Sequence, residues 1–357
     1  MAAGGLESLQ TQVSNDLRVF RQPFFPDMEE FRIQLSKSDD FAKRNEASGE
    51  PTRVLYRVRN LSRFSGFLIG GIVGGERPSN YAESPRLWNP YFRSIAIRGV
   101  FFAFDLPGSN RLSEFMRTFL EIPGSLELTV TNPYKQEAYR CLAGLGLQAV
   151  LDERVRDLGS LNHLLLDRES RRVIAVNTDG LGLVRAVRER VKISGCRALL
   201  IGAGGAAASI GYELVRKGSC LHIANPVEEE AQRLADRLSR FARLGRSISW
   251  SGLGSLQGRL EEANLVVSAV SRGTALSRDE IILLPTGALC VDTRYGDQAE
   301  FACLAGSLGR RVLDGRSMLF GQFAEAAHRL RRILHLDASL HHRALKELEA
   351  EYLAIPL

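Results

Sequence analysis

Ala198-Leu199-Leu200-Ile201-Gly202-Ala203-Gly204-Gly205-Ala206-Ala207 is the stretch that decides the fold. Four apolar residues run straight into a glycine turn, and Gly202, Gly204 and Ala207 fit the form G-x-G-x-x-A. The first glycine permits a tight turn, and the second lets a pyrophosphate approach the backbone. The small third residue lets the following helix pack closely on the strand. A helix opening at Gly205 offers unpaired N–H groups to phosphates. Another apolar run at Cys220–Ala224 supplies the strand–turn–helix–strand context that a lone glycine pattern lacks. Gly202, Gly204, Gly205, Ala206 and Ala207 are therefore candidate dinucleotide-binding residues. The plainer alternative is a glycine turn packing an empty α/β unit.

Choice between NAD and NADP depends on residues just after the second strand. Here they read Asn225-Pro226-Val227-Glu228-Glu229-Glu230, with no arginine to grip a 2′-phosphate and three carboxylates that would repel one. Asn225 and Glu228 are the candidate ribose contacts, and the expectation is NAD in preference to NADP. Alternatively, the three glutamates form only the solvated first turn of a helix, where the dipole favours them.

Working outward, short apolar runs alternate with helical periods. On the C-terminal side are strands at Ala198–Gly202, Cys220–Ala224, Ser247–Trp250, Leu265–Val270, Leu289–Asp292 and Arg311–Leu313, and helices at Gly205–Arg216 and Glu228–Arg243. This alternation predicts a doubly wound parallel sheet covered by helices on both faces. On the N-terminal side, Gly66–Val73, Val100–Phe104 and Leu126–Val130 read as strands. Pro85–Ile97, Arg111–Leu120 and Lys135–Leu142 read as helices, with Pro90 counting against the first. Asn162–Leu166 and Val173–Val176 form a hairpin, and Met318–His335 and Ser339–Leu353 form two tail helices.

With 357 residues, 45% of them hydrophobic and 25% charged, the chain is long enough for two domains with substantial cores. A net charge of +6 from 47 basic and 41 acidic residues, with no run of five like charges, gives no reason to expect a nucleic-acid or membrane partner. Cys141, Cys196, Cys220, Cys290 and Cys303 are scattered and odd in number, which disfavours both a disulfide framework and a zinc site. The first residues lack a basic stretch leading into an apolar run, so a cytoplasmic location is expected. Residues 1–60 are polar and mixed and receive no chemical assignment.

Three further motifs join the glycine turn in order: Thr129-Val130-Thr131-Asn132-Pro133-Tyr134-Lys135, Asn177-Thr178-Asp179-Gly180, and Asp314-Gly315-Arg316-Ser317-Met318-Leu319-Phe320-Gly321-Gln322. With them, the chain from about Ser65 to Leu334 resembles the shikimate/quinate dehydrogenase family. The resemblance implies an α/β substrate-binding domain (61–178 plus 318–357), a Rossmann-type dinucleotide-binding domain (179–317), and an active site in the cleft between them. It also implies that Lys135 and Asp179 are the catalytic pair, and that Ser84, Thr131, Asn162, Tyr295 and Gln322 bind substrate. A lysine beside a carboxylate can move the proton of an alcohol as hydride leaves for a nicotinamide.

Several positions depart from the family pattern. Tyr81-Ala82-Glu83-Ser84-Pro85 and Trp88-Asn89 stand where HSxSP and HN are usual, so one of two serines is missing. Thr129 replaces an asparagine, His163 a threonine, and Ser268-Ala269-Val270-Ser271 departs from N-A-T-S. The resulting expectation is an NAD-linked oxidoreductase acting on a ring hydroxyl of a shikimate- or quinate-like cyclic hydroxy acid, or an amino analogue. A catalytically silent ligand-binding or regulatory protein on the same scaffold is the alternative, and a homodimer is left open.

Overall fold

The computed structural model describes residues 68–75, 78–106, 111–122 and 124–354. The N-terminal segment 1–60 and the first residues of the strand expected from Gly66 lie outside the described residues.

Two six-stranded sheets succeed one another along the chain. The first contains β1 (Leu68–Gly74), β2 (Gly99–Asp105), β3 (Ser125–Val130), β4 (Gln148–Leu151), β5 (His163–Asp167) and β6 (Arg172–Val176), in the order β2-β1-β3-β5-β6-β4. β1 pairs in parallel with β2 and β3, β5 runs antiparallel to both β3 and β6, and β4 pairs in parallel with β6. Helices α1 (Ser84–Ser94), α2 (Leu112–Glu121), α3 (Lys135–Cys141) and α4 (Glu153–Leu158) connect these strands. Pro90 lies inside α1, whose buried Trp88 stacks on Phe101 with ring centroids 5.6 Å apart. That packing outweighs the loss of one helical hydrogen bond.

After α5 (Asp179–Val187) the second sheet begins, with β7 (Arg197–Ile201), β8 (Cys220–Ala224), β9 (Ile248–Ser251), β10 (Leu265–Ser268), β11 (Leu289–Asp292) and β12 (Arg311–Leu313). Its order is β12-β11-β10-β7-β8-β9 and every pairing is parallel. This is the doubly wound arrangement, with order reversing at β7. Between its strands come α6 (Gly205–Arg216), α7 (Glu228–Ser239), α8 (Gln257–Leu260), α9 (Arg278–Leu283) and α10 (Glu300–Ser307). Leu200, Leu221, Val267 and Val291 are buried in its core together with Ile210 and Leu214 of α6.

The tail returns to the first sheet as α11 (Gly315–Ile333) and α12 (Ala338–Leu353). Phe320, Phe323 and Leu330 of α11 bury against Trp88, Tyr91 and Phe101. α5 and α11 cross with their backbones almost touching. A Cβ on Gly182 would lie 2.5 Å from the Met318 carbonyl oxygen, and one on Gly321 would lie 2.6 Å from that of Gly182. No helix among the described residues is long and apolar enough to cross a membrane.

Candidate active site

Lys135 is the first residue of α3, and Asp179 is the first of α5. β3 and β6 run in the same direction on either side of β5 and end at the same edge of the first sheet, and the turns that leave them bring these two positions together. Lys135 Nζ donates to Asp179 Oδ2 at 2.6 Å. The Asp179 side chain is 2% exposed and that of Lys135 is 17% exposed, so the ammonium alone retains access to solvent. The other carboxylate oxygen, Oδ1, accepts from Asn162 Nδ2 at 2.9 Å. Asn162 is fixed in turn, since its Oδ1 accepts from the Thr178 N–H at 2.9 Å. A cation at a helix N-terminus opposes the dipole, whereas an anion there is favoured. Pairing the two termini through one ion pair offsets the penalty at Lys135 with the gain at Asp179.

Asn177 and Ser209 escaped the reading of the sequence. Asn177 Oδ1 accepts from Ser209 Oγ at 2.8 Å and from the Asp179 N–H at 3.3 Å, while Asn177 Nδ2 reaches Ser160. Ser209 Oγ also accepts from the Gly180 N–H at 2.9 Å, tying α6 of the second sheet to the residue after Asp179. The signal was present in Asn177, within the quoted motif, but a serine in the alanine-rich stretch of α6 gave none.

The remaining candidate residues are distributed around this pair. Gln322 lies on α11 beside Gly182, three residues along α5 from Asp179. Thr131 packs its methyl against Gly74 at the exit of β3. Ser84 is buried at the first position of α1, a helix with Pro85 in its first turn. Tyr295 Oη donates to the Tyr81 carbonyl at 3.2 Å, linking the loop after β11 to the segment before α1. Asp292 holds that loop by accepting from the Arg294 and Phe301 N–H groups. Burial, reinforced by the Glu83 charge, pushes the Tyr295 phenol well above its usual range. Glu83 is paired with Arg86 at 3.1 Å, and Ala82 packs on the aromatic cluster of α1 and α11.

At the glycine turn, Gly202 has φ +114° and its missing Cβ would sit 2.7 Å from the Ala269 carbonyl oxygen. Only glycine fits there. At Gly204 and Gly205 an added Cβ would meet nothing within 4 Å. The backbone is thus open to an incoming group where the twelve-residue α6 begins, and the donor set suits a pyrophosphate. Ala206 and Ala207 continue the first turn of α6. Asn225 Nδ2 donates to Val227 O at 3.0 Å and to Glu230 Oε2 at 2.9 Å, so its amide holds the loop together. The Glu228 carboxylate lies against Gly252, in the loop after β9.

A mixed sheet and a doubly wound sheet joined by crossing helices, with an open phosphate-type turn beside a lysine–aspartate pair, define the two-lobed fold of a dinucleotide-dependent oxidoreductase. Sequence comparison makes the family specific. A curated shikimate dehydrogenase (NADP(+)) from Chromohalobacter salexigens is 33% identical over 252 residues, covering 70% of this chain and 88% of that protein. One from Methanopyrus kandleri is 30% identical over 233 residues, covering 64% and 76%. The family described as Shikimate / quinate 5-dehydrogenase matches residues 185–283. Among solved structures, the quinate dehydrogenase from Corynebacterium glutamicum in complex with NAD superposes with TM-score 0.62 at 24% identity, covering 78% of this chain and 99% of that one. The chain belongs to the shikimate/quinate dehydrogenase family.

One expectation is overturned. Preference for NAD over NADP was argued from the acidic stretch 225–230, yet curated relatives from four organisms are named as NADP(+) enzymes. Sequence adjacency does not show which side chains of the fold surround the end of β8. Burial, with the Arg259 charge, lowers the His222 imidazole of β8 to about 4. The three glutamates form the exposed first turn of α7, with Glu230 Oε2 accepting from Asn225.

Proposed function

We propose that this chain is an NADP(+)-linked dehydrogenase that interconverts a ring hydroxyl and a ketone on a cyclic hydroxy acid of the shikimate or quinate kind. The observation that carries the reading is the 2.6 Å contact between Lys135 Nζ and Asp179 Oδ2 beside the open glycine turn. Family names of the relatives supply the substrate class. The division into a substrate domain (61–178 with 318–357) and a dinucleotide domain (179–317) is part of the same proposal.

Gly204, Gly205 and the first N–H groups of α6 would hold the pyrophosphate. A bound nicotinamide supplies the hydride acceptor. Lys135, having first given one proton to solvent on its exposed side, would take the hydroxyl proton as the carbinol hydrogen leaves with its electron pair, and the ammonium so restored is held by the Asp179 carboxylate. In the reverse direction the same ammonium returns the proton to the carbonyl oxygen. Asn162 keeps Asp179 turned toward Lys135 by occupying its second oxygen. Ser84, Thr131, Tyr295 and Gln322 would line the substrate side.

The test follows nicotinamide absorbance with shikimate or quinate and NADP(+). The wild type turns over at least one of them, and Lys135→Ala loses turnover while still binding NADP(+) in calorimetry. Undiminished turnover in Lys135→Ala would remove the mechanism. A wild type that binds shikimate but turns over nothing would instead indicate the silent, ligand-binding alternative.

A further inference from the structure

Asp179 opens a helix whose first N–H groups find partners in an unusual place. A helix leaves its first four N–H groups without partners of its own, and the N-cap side chain ordinarily takes one of them. In α5 the N-cap is Thr178, which makes no such bond; its hydroxyl accepts from Asn162 Nδ2 at 3.1 Å. Instead the Asp179 N–H donates to Asn177 Oδ1 at 3.3 Å, and the Gly180 N–H donates to Ser209 Oγ at 2.9 Å. Ser209 belongs to α6, so one helix is capped by another. The two lie close together: a Cβ on Gly180 would sit 2.1 Å from the Ser209 carbonyl oxygen. Asn177, Asp179 and Ser209 are each 1% exposed, which keeps water from replacing these bonds.

The protons in this network have a single placement. Asn177 Nδ2 lies 3.2 Å from the Ser160 carbonyl oxygen, which can only accept, so the amide nitrogen faces Ser160 and Oδ1 faces the two helices. The Asp179 and Gly180 N–H groups can only donate. The Ser209 hydroxyl therefore accepts from Gly180 and turns its own hydrogen to Asn177 Oδ1, 2.8 Å away. α6 begins at Gly205, in the turn assigned to the pyrophosphate, and Ser209 follows four residues later, about 6 Å along the axis. The same helix thus carries phosphate donors at its start and, one turn on, the cap of the helix that bears Asp179.

We propose that Ser209 is a positioning residue for the reaction: by capping α5 from α6, it holds the Asp179–Lys135 pair in register with the helix that anchors the cofactor. The proposal rests on the functional reading above and deepens it. The hydride leaves the carbinol carbon for a nicotinamide anchored through α6, while the hydroxyl proton leaves for Lys135 of α3. Both departures occur at one carbinol, so the pair and the cofactor must be held in a common frame. Removing the Ser209 hydroxyl loosens that frame at the first turn of α5. The Lys135–Asp179 contact and the glycine turn stay in place, so both ligands still bind while the reaction slows.

The experiment uses the full chain, NADP(+), and shikimate or quinate. Ser209→Ala lowers kcat about tenfold or more and leaves the KM of the acid and of NADP(+) within about threefold. Ser209→Thr, which keeps the hydroxyl, recovers most of the kcat. Ser249→Ala is the control: its hydroxyl meets His222 Nδ1 at 2.8 Å between β8 and β9, and its loss leaves kcat within about threefold of wild type. A Ser209→Ala protein with wild-type kcat, or one whose KM values rise as far as its kcat falls, overturns the proposal. So does a folded Ser209→Thr protein no faster than Ser209→Ala. If Ser209→Ala does not fold, Ser209→Cys, close to serine in size but weaker in both bonds, decides by the same split. Hydrogen exchange separates this proposal from the functional reading, because in Ser209→Ala the Gly180 amide exchanges at least about tenfold faster than in wild type. A wild type that turns over neither acid defeats the functional reading, and faster exchange at Gly180 then leaves the positioning of Asp179 standing; unchanged exchange there overturns it.

Discussion

Replacing Gly182 by alanine tests whether the helix crossing positions the site. Two effects of opposite sign compete. Alanine is favoured over glycine inside a helix by about 1 kcal/mol. Against this, the new Cβ would lie 2.5 Å from the Met318 carbonyl oxygen and 2.9 Å from the Gln322 nitrogen, where ordinary contact begins at 3.4 Å. Both obstacles are backbone atoms, so no rotamer change relieves them, and α5 and α11 must part by about 0.9 Å. Overpacking of this kind costs roughly 1–3 kcal/mol, and the upper half of that range applies because the neighbours are rigid. The net expectation is a loss of about 1–2 kcal/mol, or a fall in Tm of roughly 1–3 °C at this size. Asp179 and Gln322 ride on the two helices, and a displacement near 1 Å at a reacting group costs up to about 10²-fold. A thermal melt and kcat/KM with shikimate and NADP(+) measure both. Gly258→Ala is the control, since its Cβ would meet nothing within 4 Å and it should gain stability from propensity alone. A Gly182→Ala protein that melts at or above the wild-type temperature with unaltered kcat/KM would refute the reasoning.

Asp179→Asn leaves the Lys135 ammonium without its counter-charge in a site where the lysine side chain is 17% exposed. Removing one partner of a buried pair costs about 3–5 kcal/mol, and the residual exposure brings the expected loss toward the lower end, read as a fall in urea midpoint accompanied by lost turnover. Acid stability follows from three buried imidazoles: His163 is lowered to about 3, and His222 and His341 to about 4. Each folded-state value lies below the unfolded one near 6.5, so the unfolded chain takes up protons first. Stability should decline as pH falls from about 6.5 to 4, and a urea midpoint that is flat across that window would contradict it.

The parts of the fold that were legible are those whose side chains report their surroundings. Strands β7, β8, β10 and β11 are buried on both faces, so they appear as continuous apolar runs. The glycine turn was legible because Gly202 must take a positive φ under the Ala269 carbonyl. β4 and α4 went unread: β4 is an edge strand with alternating half-exposed residues, and α4 has only six residues, marked by an Asp152 cap and Gly159 at φ +54°. The helix expected to run to Arg243 stops at Ser239, although the apolar period continues into Phe241, because Phe241 packs on Tyr212 from outside the helix. At the site, Lys135 and Asp179 were legible from their motifs. Ser209 and Glu127 were not, since their roles exist only through partners 32 and 36 residues away. Cofactor choice failed because the Glu228–Glu230 run that suggested it is the exposed first turn of α7.

Asp179 and Glu127 show how partners, rather than depth, decide what a buried carboxyl does in one sheet. Both are almost wholly removed from solvent. Asp179 meets an ammonium on one oxygen, an amide on the other, and the N-terminus of its own helix, three features that favour negative charge. Glu127 meets a hydroxyl and a neutral imidazole on one oxygen and nothing on the other, so the proton is the cheapest way to neutralise it. The arrangement keeps a second negative charge away from the Lys135–Asp179 pair. A charged Glu127 would compete with Asp179 for the lysine and hold the ammonium away from the reacting oxygen. A neutral one leaves the pair undivided.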